Sequence, residues 1–269
     1  MTGAPGTAGP VALLTGAARG IGAATARRLS QDGWRLVLVD ACADDPALPY
    51  PLATPADLEA AAGACGAGQA VPVVADVRRQ DQLDEAVALA EERFGRLDAA
   101  VAVAGAIAGG QDAWGTDEAT WGAMIGINLE GVWRLARAAV PALLRGPEPR
   151  RGRFVAVASA AGSLGMPRLA AYAAAKHGVV GLVRSLAAEL GPHGITANVV
   201  SPGSTATAML DASAAVYGIG DRAGFAVHHR LGRLVDPAEV AALLAWLCGP
   251  DSSAVTGAVF AVDAGMTSG

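Results

Sequence analysis

Seven short apolar segments alternate along this chain with longer segments of helical periodicity, and this alternation limits the fold more than any other feature. Strands that are buried on both faces read as continuous apolar runs, and a helix between consecutive strands makes the sheet parallel. The predicted strands are 11–15, 35–40, 71–75, 99–103, 153–158, 196–201 and 258–262, and the predicted helices are 20–31, 55–64, 80–94, 121–144, 169–190 and 237–247. Right-handed crossovers place helices on both faces. We therefore predict an α/β fold with a doubly wound sheet of seven mainly parallel strands.

Composition narrows the class of protein. The 269 residues suit a single domain, 1–269, and the 52% hydrophobic content excludes disorder. A formal charge of -5 argues against nucleic acid or an anionic membrane as a partner. The first ten residues do not read as a signal peptide, and no apolar stretch is as long as a membrane span. The cysteines and histidines form no ligand pattern, so we expect no metal, and we expect a cytoplasmic protein that acts on small molecules.

Two segments interrupt the alternation. Residues 41–54 include three prolines, which exclude a regular helix, so this segment must run as a loop. Residues 204–235 form a long, weakly periodic stretch between the sixth strand and the last helix. Loops of this length are uncommon unless they are functional, although a flexible insertion is the alternative for each.

A glycine-rich turn follows the first predicted strand and runs directly into a helix. Glycines there let the backbone approach a pyrophosphate, and the helix N-terminus offers free N–H groups and a positive dipole. This context of strand, turn and helix predicts a Rossmann-type dinucleotide site. Its residues are Gly16, Arg19, Gly20, Ile21 and Gly22.

The second strand ends at Asp40, about 20 residues beyond the glycines, where a carboxylate can bind both hydroxyls of an adenosine ribose. This carboxylate would repel a 2′-phosphate, and no arginine follows it, so NAD is favoured over NADP. The alternative is that Asp40 only opens a turn. Asp76, after the third strand, is placed to bind the adenine amino group, or it caps a helix.

Tyr172 and Lys176 are four residues apart in a predicted helix, so their side chains share one face. A nearby ammonium stabilises a phenolate and lowers the pKa of the phenol, which makes the pair an acid/base couple. Ser159 ends the fifth strand at the carboxyl edge of the sheet, where its hydroxyl can hold a substrate oxygen. Lys176 is the only lysine in the chain, which is otherwise rich in arginine, and this bias favours a specific role for it.

Together these motifs resemble the short-chain dehydrogenase/reductase family, and the resemblance covers nearly all of residues 9–268. The matching motifs, all in family order, are TGAARGIG at 15–22, Asp40, Asp76-Val77, Asn128 in INLEG, Ser159 in ASAAG, Tyr172-x-x-x-Lys176, Asn198 with Ser201-Pro202-Gly203, and VDAG at 262–265. One departure is AVAG at 102–105, where the family usually has NNAG; an asparagine that steadies the sheet is missing, and Gly105 can still pass close to the cofactor.

The resemblance implies a catalytic tetrad. Tyr172 would be the general acid/base, Lys176 would bind the nicotinamide ribose and tune the tyrosine, Ser159 would polarise the carbonyl, and Asn128 would support a proton-relay water. The implied reaction is hydride transfer between NAD and a secondary alcohol or its ketone. Further cofactor contacts implied by the resemblance are Asp76, Val77, Gly105, Pro202, Gly203, Thr205 and Thr207.

The resemblance also gives roles to the two irregular segments. The insertion at 41–54 resembles that of the mycofactocin-associated subfamily, which implies a lid that includes Tyr50, NAD that stays bound between turnovers, and mycofactocin as the electron acceptor. The segment 204–235 would bind substrate, and its apolar residues Leu210, Tyr217 and Phe225, beside His228, favour a hydrophobic alcohol or ketone.

Family members pair two long helices into tetramers, and 121–144 and 169–190 resemble those helices, so we expect a homotetramer. Two other functions stay open. One is an NADPH-dependent ketoreductase of the ketoacyl type, which Asp40 opposes. The other is a dinucleotide-sensing protein without turnover, although such relatives typically lose the Tyr or the Lys, and both are present here.

Overall fold

A computed structural model describes residues 9–268 of the chain. Its seven strands are β1 (Val11–Thr15), β2 (Arg35–Asp40), β3 (Ala70–Val74), β4 (Ala99–Ala102), β5 (Arg153–Val157), β6 (Thr196–Pro202) and β7 (Val259–Val262). Its eight α-helices are α1 (Gly20–Gln31), α2 (Pro55–Gly63), α3 (Gln80–Phe94), α4 (Glu118–Ile125), α5 (Gly131–Leu144), α6 (Ala170–Leu190), α7 (Ala208–Tyr217) and α8 (Pro237–Cys248).

The strands form one sheet in the order β3-β2-β1-β4-β5-β6-β7, and every neighbouring pair is parallel. The predicted Rossmann-type sheet is therefore confirmed. β1 lies between β2 and β4, so the direction of the crossovers reverses at this point. Ligands bind in such sheets outside the carboxyl ends of the strands at the reversal, which directs attention to the residues that follow β1 and β4.

Two apolar cores cover the faces of the sheet. On one face α3, α5 and α6 bury side chains such as Leu83, Leu135 and Val179. On the other face α1, α2 and α8 contribute Leu29, Leu58 and Leu244. No helix among residues 9–268 is both long and apolar enough to cross a membrane.

Two predicted segments fold differently from their sequence pattern. The single helix expected over 121–144 is α4 and α5 joined by a π-helical turn at Gly126–Glu130. A π turn adds a single residue to an otherwise continuous run of small and apolar residues, so periodicity did not reveal it. The stretch 204–235, which read as irregular, contains α7 and a 3₁₀ segment at Arg222–His228, packed through a small cluster of Leu210, Ala214 and Phe225. The other predicted ends differ from the observed ones by one residue at most.

Candidate active site

The glycine-rich turn packs too closely for side chains at two of its positions. A Cβ on Gly22 would lie 1.9 Å from the carbonyl oxygen of Gly16, and a Cβ on Gly16, whose φ is +67°, would lie 2.6 Å from Cα of Ala104. The turn therefore lies directly against the segment that follows β4. Arg19, the N-cap residue of α1, makes no side-chain cap and instead donates from its guanidinium to Asp57 at 2.7 Å. This leaves a backbone cradle at a helix N-terminus, which fits a pyrophosphate.

Asp40 is held beside this cradle. One of its carboxylate oxygens accepts the backbone N–H of Ala18 at 3.0 Å and the other accepts that of Cys42 at 3.4 Å. A cleft of about 380 Å³ opens here, at the reversal of the sheet. Its lining includes most of the predicted cofactor residues: Gly16, Arg19, Gly20, Ile21, Gly22, Asp40, Asp76, Val77, Gly105 and Thr207. A carboxylate that can accept hydrogen bonds from ribose hydroxyls lies at one end of this cleft, and free backbone N–H groups that suit a pyrophosphate lie at its centre, so the residues present fit NAD.

Asp76 is paired with an arginine that the sequence reasoning missed. Nη2 of Arg78 donates to Asp76 at 2.6 Å, and Nη1 of the same guanidinium donates to Asp45, in the insertion, at 2.6 Å. Burial acts to raise the pKa of Asp76, but the hydrogen bonds and charge of Arg78 outweigh it and hold this pKa below its ordinary value. Arg78 therefore joins Asp76, which lines the cleft, to the insertion.

The insertion itself lies along the cleft. It follows β2 as an irregular segment, as the prolines predicted, and Leu48 packs into the core. Tyr50 and Leu52 line the dinucleotide cleft, and the Tyr50 phenol oxygen accepts the backbone N–H of Ile107 at 2.9 Å. The insertion is thus attached at both Asp45 and Tyr50 to the rim of the cleft.

Tyr172 and Lys176 lie on the same face of α6 and are both buried. Nζ of Lys176 is 5.7 Å from the centre of the Tyr172 ring, and it donates to the carbonyl oxygen of Val157 at 3.0 Å. Ser159 follows β5, and its Oγ accepts the backbone N–H of Ala161 at 3.1 Å. The same hydroxyl lies close enough to the Tyr172 phenol to lower its pKa. The structure therefore brings together three of the four predicted catalytic side chains at the carboxyl edge of the sheet.

Burial controls the acidity of this pair. It raises the pKa of Tyr172 to about 12, with the Ser159 hydroxyl acting in the opposite direction and the nearby Tyr50 reinforcing the rise. Burial also lowers the pKa of Lys176 to about 8. The pKa of Tyr172 is therefore not lowered as the sequence predicted; desolvation raises it, because both groups are shielded from water.

Asn128 lies in the π-helical turn and is fully buried. Its Oδ1 accepts the N–H of Ala106 at 3.2 Å, and its Nδ2 donates to the carbonyl oxygens of Ala106 and Met124, each at 3.0 Å. A Cβ on Gly105 would lie 3.0 Å from Oδ1 of Asn128 and 3.5 Å from Nζ of Lys176. The Asn128 side chain thus fixes the segment after β4 next to the lysine.

The segment after β6 closes the site on the other side. A Cβ on Gly203 would lie 2.9 Å from Cα of Asp263, in the VDAG motif, so this turn is pressed against the end of β7. Thr205 donates to the carbonyl oxygen of Gly203 at 3.0 Å, and Thr207 donates to that of Thr205 at 3.3 Å. Pro202 ends β6, and Gly203, Thr205 and Thr207 line a second cavity.

This second cavity, of about 460 Å³, adjoins the dinucleotide cleft and shares Thr207 and Met209 with it. Ser159 and Tyr172 contribute to its wall. Its apolar lining includes Ile107, Met166, Leu169, Met209, Leu210, Ile219, Phe225 and Met266. Two of its hydroxyls are already engaged, because Ser213 donates to Met209 O at 3.0 Å and Tyr217 donates to Pro167 O at 2.9 Å. The cavity therefore suits a mainly apolar molecule with an oxygen at the Ser159 and Tyr172 end.

Comparison with known proteins agrees with this geometry. A family model described as enoyl-(acyl carrier protein) reductase matches residues 16–267. The chain is 37% identical to (-)-trans-carveol dehydrogenase of Rhodococcus erythropolis, over 96% of this chain and 98% of that protein. It is also 37% identical to an uncharacterised NAD-dependent oxidoreductase of Mycobacterium tuberculosis, over 96% and 95%. Among solved structures, carveol dehydrogenase from Mycobacterium avium in complex with NAD superposes with a TM-score of 0.90 at 35% identity, over 98% of this chain and 99% of that one.

Proposed function

The chain belongs to the short-chain dehydrogenase/reductase family and is an NAD-dependent oxidoreductase, and we propose that it interconverts a hydrophobic secondary alcohol and its ketone. The observation that carries this proposal is the convergence of the Ser159 and Tyr172 hydroxyls at one end of an apolar cavity that adjoins the dinucleotide cleft. Two of the relatives are carveol dehydrogenases, and carveol is a neutral alcohol that is mainly hydrocarbon. They support a substrate of the same kind for this cavity.

The roles of the residues follow from this arrangement. Ser159 donates to the substrate oxygen and orients it toward Tyr172, whose buried phenol gives a proton to a ketone oxygen or takes one from an alcohol. Lys176 holds positive charge beside the phenol, binds the nicotinamide ribose and favours the phenolate form when alcohol is oxidised. Asn128 fixes the segment after β4 and supports a proton-relay water. Bound NAD supplies the hydride acceptor or donor.

The remaining cofactor contacts belong to the cradle and to the segment after β6. The glycine-rich turn holds the pyrophosphate, Asp40 the adenosine ribose, and Asp76 with Val77 the adenine. Gly105, Pro202, Gly203, Thr205 and Thr207 contact the nicotinamide half.

We propose further that the chain is one dinucleotide-binding and catalytic domain whose insertion 41–54 acts as a lid and whose segment 204–235 binds substrate. The attachment of the insertion through Asp45 and Tyr50 supports slow release of NAD. Reduced NAD that stays bound needs an electron acceptor that comes to the enzyme, and mycofactocin is our candidate. We also propose a homotetramer that assembles through the helices at 121–144 and 169–190, and the half-exposed Trp121 and Trp133 on the first of them support this.

The central test is Tyr172→Phe, which keeps the ring and removes the proton-bearing oxygen. We expect turnover to fall at least a thousandfold while NADH binding stays within threefold of the wild type, measured by fluorescence titration. A variant that keeps its activity would refute the acid/base assignment. Two outcomes would favour the alternative functions. A preference for NADPH would indicate a ketoacyl-type reductase. Binding of NAD without turnover of any alcohol would indicate a sensing protein.

Substrate and acceptor are tested together. Carveol and other secondary alcohols are screened with an artificial electron acceptor dye, with and without added NAD. Turnover without added NAD, together with NAD released on denaturation of the purified protein, supports retained cofactor. Protein that is purified without NAD and depends on added NAD contradicts the lid and the mycofactocin proposal but not the alcohol dehydrogenase activity.

A further inference from the structure

His229 is a buried histidine, 4% exposed, that lies behind the turn after β6. Its Nε2 is 3.2 Å from the backbone nitrogen of Ser204, and its Nδ1 is 2.5 Å from the carbonyl oxygen of Arg233. The adjacent His228 lines the substrate cavity, whereas His229 points into the protein and does not contribute to the lining.

The two partners determine where the ring proton is. A backbone N–H only donates and a carbonyl oxygen only accepts, so Nε2 must carry a lone pair and Nδ1 must carry the hydrogen. These two contacts fit the Nδ1–H tautomer of the His229 ring. The nearby Asp263, one of whose oxygens accepts from Thr267, does not replace either partner of the ring.

The turn that His229 contacts belongs to the nicotinamide side of the proposed cofactor site. Its backbone is paired with Val235, whose N–H donates to Ser204 O at 3.0 Å and whose oxygen accepts the N–H of Ala206 at 2.9 Å. These bonds fix the turn along its length. The N–H of Ser204, by contrast, is held by an imidazole side chain, so the orientation of the peptide between Gly203 and Ser204 depends on His229.

We infer that His229 is a positioning residue for the nicotinamide half of the dinucleotide: its Nε2 fixes the 203–204 peptide so that Gly203, Ser204 and Thr205 face the cofactor in one orientation. This inference rests on the proposed function. It assigns His229 no contact with substrate or reacting atoms. Loss of the Nε2 acceptor would leave a buried N–H without its partner, and the turn would rotate to satisfy it elsewhere.

Two conservative variants test the contacts of the two ring nitrogens, Nδ1 and Nε2, one at a time. His229→Gln places an amide oxygen near the position of Nε2, so the N–H of Ser204 keeps an acceptor and Arg233 O loses its donor. His229→Asn places its amide near Nδ1, so Arg233 O keeps a donor and Ser204 loses its acceptor. A merely structural role predicts that both variants lose thermal stability without a difference in cofactor binding between them.

The measurement is the dissociation rate of NADH, followed by fluorescence after a chase with excess NAD. We expect His229→Asn to release NADH roughly tenfold faster than the wild type and His229→Gln to stay within twofold. Affinity for 5′-AMP, which fills only the adenosine half of the site, should be unchanged in both. Equal NADH release from the two variants, or a parallel loss of AMP affinity in His229→Asn, would overturn the inference.

A second measurement uses the wild-type protein, so it does not depend on whether a variant folds. In the wild-type protein labelled with ¹⁵N-histidine, the His229 signals should show a protonated Nδ1 and an unprotonated Nε2. An Nε2–H tautomer would overturn the inference directly. A wild-type protein that binds AMP but not NADH would instead refute the proposed function, and the inference with it.

Discussion

The phenol oxygen of Tyr50 accepts a hydrogen bond from the backbone N–H of Ile107 at 2.9 Å, across 57 positions of sequence. Tyr50 belongs to the insertion and lines the dinucleotide cleft, while Ile107 lines the substrate cavity. This bond therefore joins the insertion to the boundary between the two ligand sites. Burial raises the pKa of Tyr50, so the phenol is neutral at physiological pH and can accept this bond and still donate another.

Removal of this bond should loosen the insertion. In Tyr50→Phe the N–H of Ile107 loses its acceptor, and we expect NADH to dissociate roughly tenfold faster, as followed by fluorescence in a chase experiment. Tyr217→Phe is the matched control, because its hydroxyl donates to Pro167 O at the substrate cavity and to no residue of the insertion. Equal release rates for the two variants would argue against a lid.

The pH dependence should differ between the two directions. Oxidation of an alcohol needs the Tyr172 phenolate, and a pKa raised to about 12 means that the phenolate fraction grows about tenfold for each pH unit below it. We therefore expect kcat/KM for oxidation to rise with pH. The rise should flatten above about 8, where Lys176 loses its proton and no longer stabilises the phenolate.

Reduction of a ketone needs the neutral phenol beside the charged Lys176, so its kcat/KM should stay level below about pH 8 and fall above it. The measurement is steady-state kinetics in both directions in buffers of constant ionic strength. A level profile for alcohol oxidation would contradict the role of Tyr172 as the base.

The choice between NAD and NADP should depend on the charge of Asp40. In Asp40→Asn an amide oxygen can still accept the N–H of Ala18, but the repulsion of a 2′-phosphate is removed. We expect discrimination against NADP to fall roughly ten- to a hundredfold, measured as the ratio of kcat/KM for the two cofactors. Asp40→Glu, which keeps the charge, should still reject NADP, and equal discrimination in both variants would refute the assignment.

A methyl group at Gly105 should disturb catalysis more than folding. The added Cβ would press on Oδ1 of Asn128 at 3.0 Å and approach Nζ of Lys176 at 3.5 Å. We expect Gly105→Ala to lower kcat at least tenfold with a loss of about 1 to 3 kcal/mol in stability, measured by kinetics and denaturant unfolding. Gly63→Ala is the control, because its Cβ would meet no heavy atom within 4 Å in the described part of the chain. Wild-type kcat in Gly105→Ala would show that this contact is not tight.

Local signals in the sequence were enough to predict most of the strands and helices that carry the site. β1, β2, α1 and α3 begin and end as predicted, because apolar period and turn residues act within a few positions. The same locality placed the glycine-rich turn before α1, Asp40 at the end of β2, and Tyr172 above Lys176 on one helix face. Helix α7 was missed because its apolar residues pack on a small separate cluster and leave only a weak period.

The sequence alone determined the strands and helices, the glycine-rich turn and the placement of Tyr172 and Lys176 on one helix face, since each depends on neighbours close in the chain. The tertiary structure alone decided that burial raises the pKa of Tyr172, that Arg78 joins Asp45 to Asp76, and that His229 holds Ser204. These facts depend on which distant segments exclude water from a group or supply its partner, and that information exists only once the chain has folded.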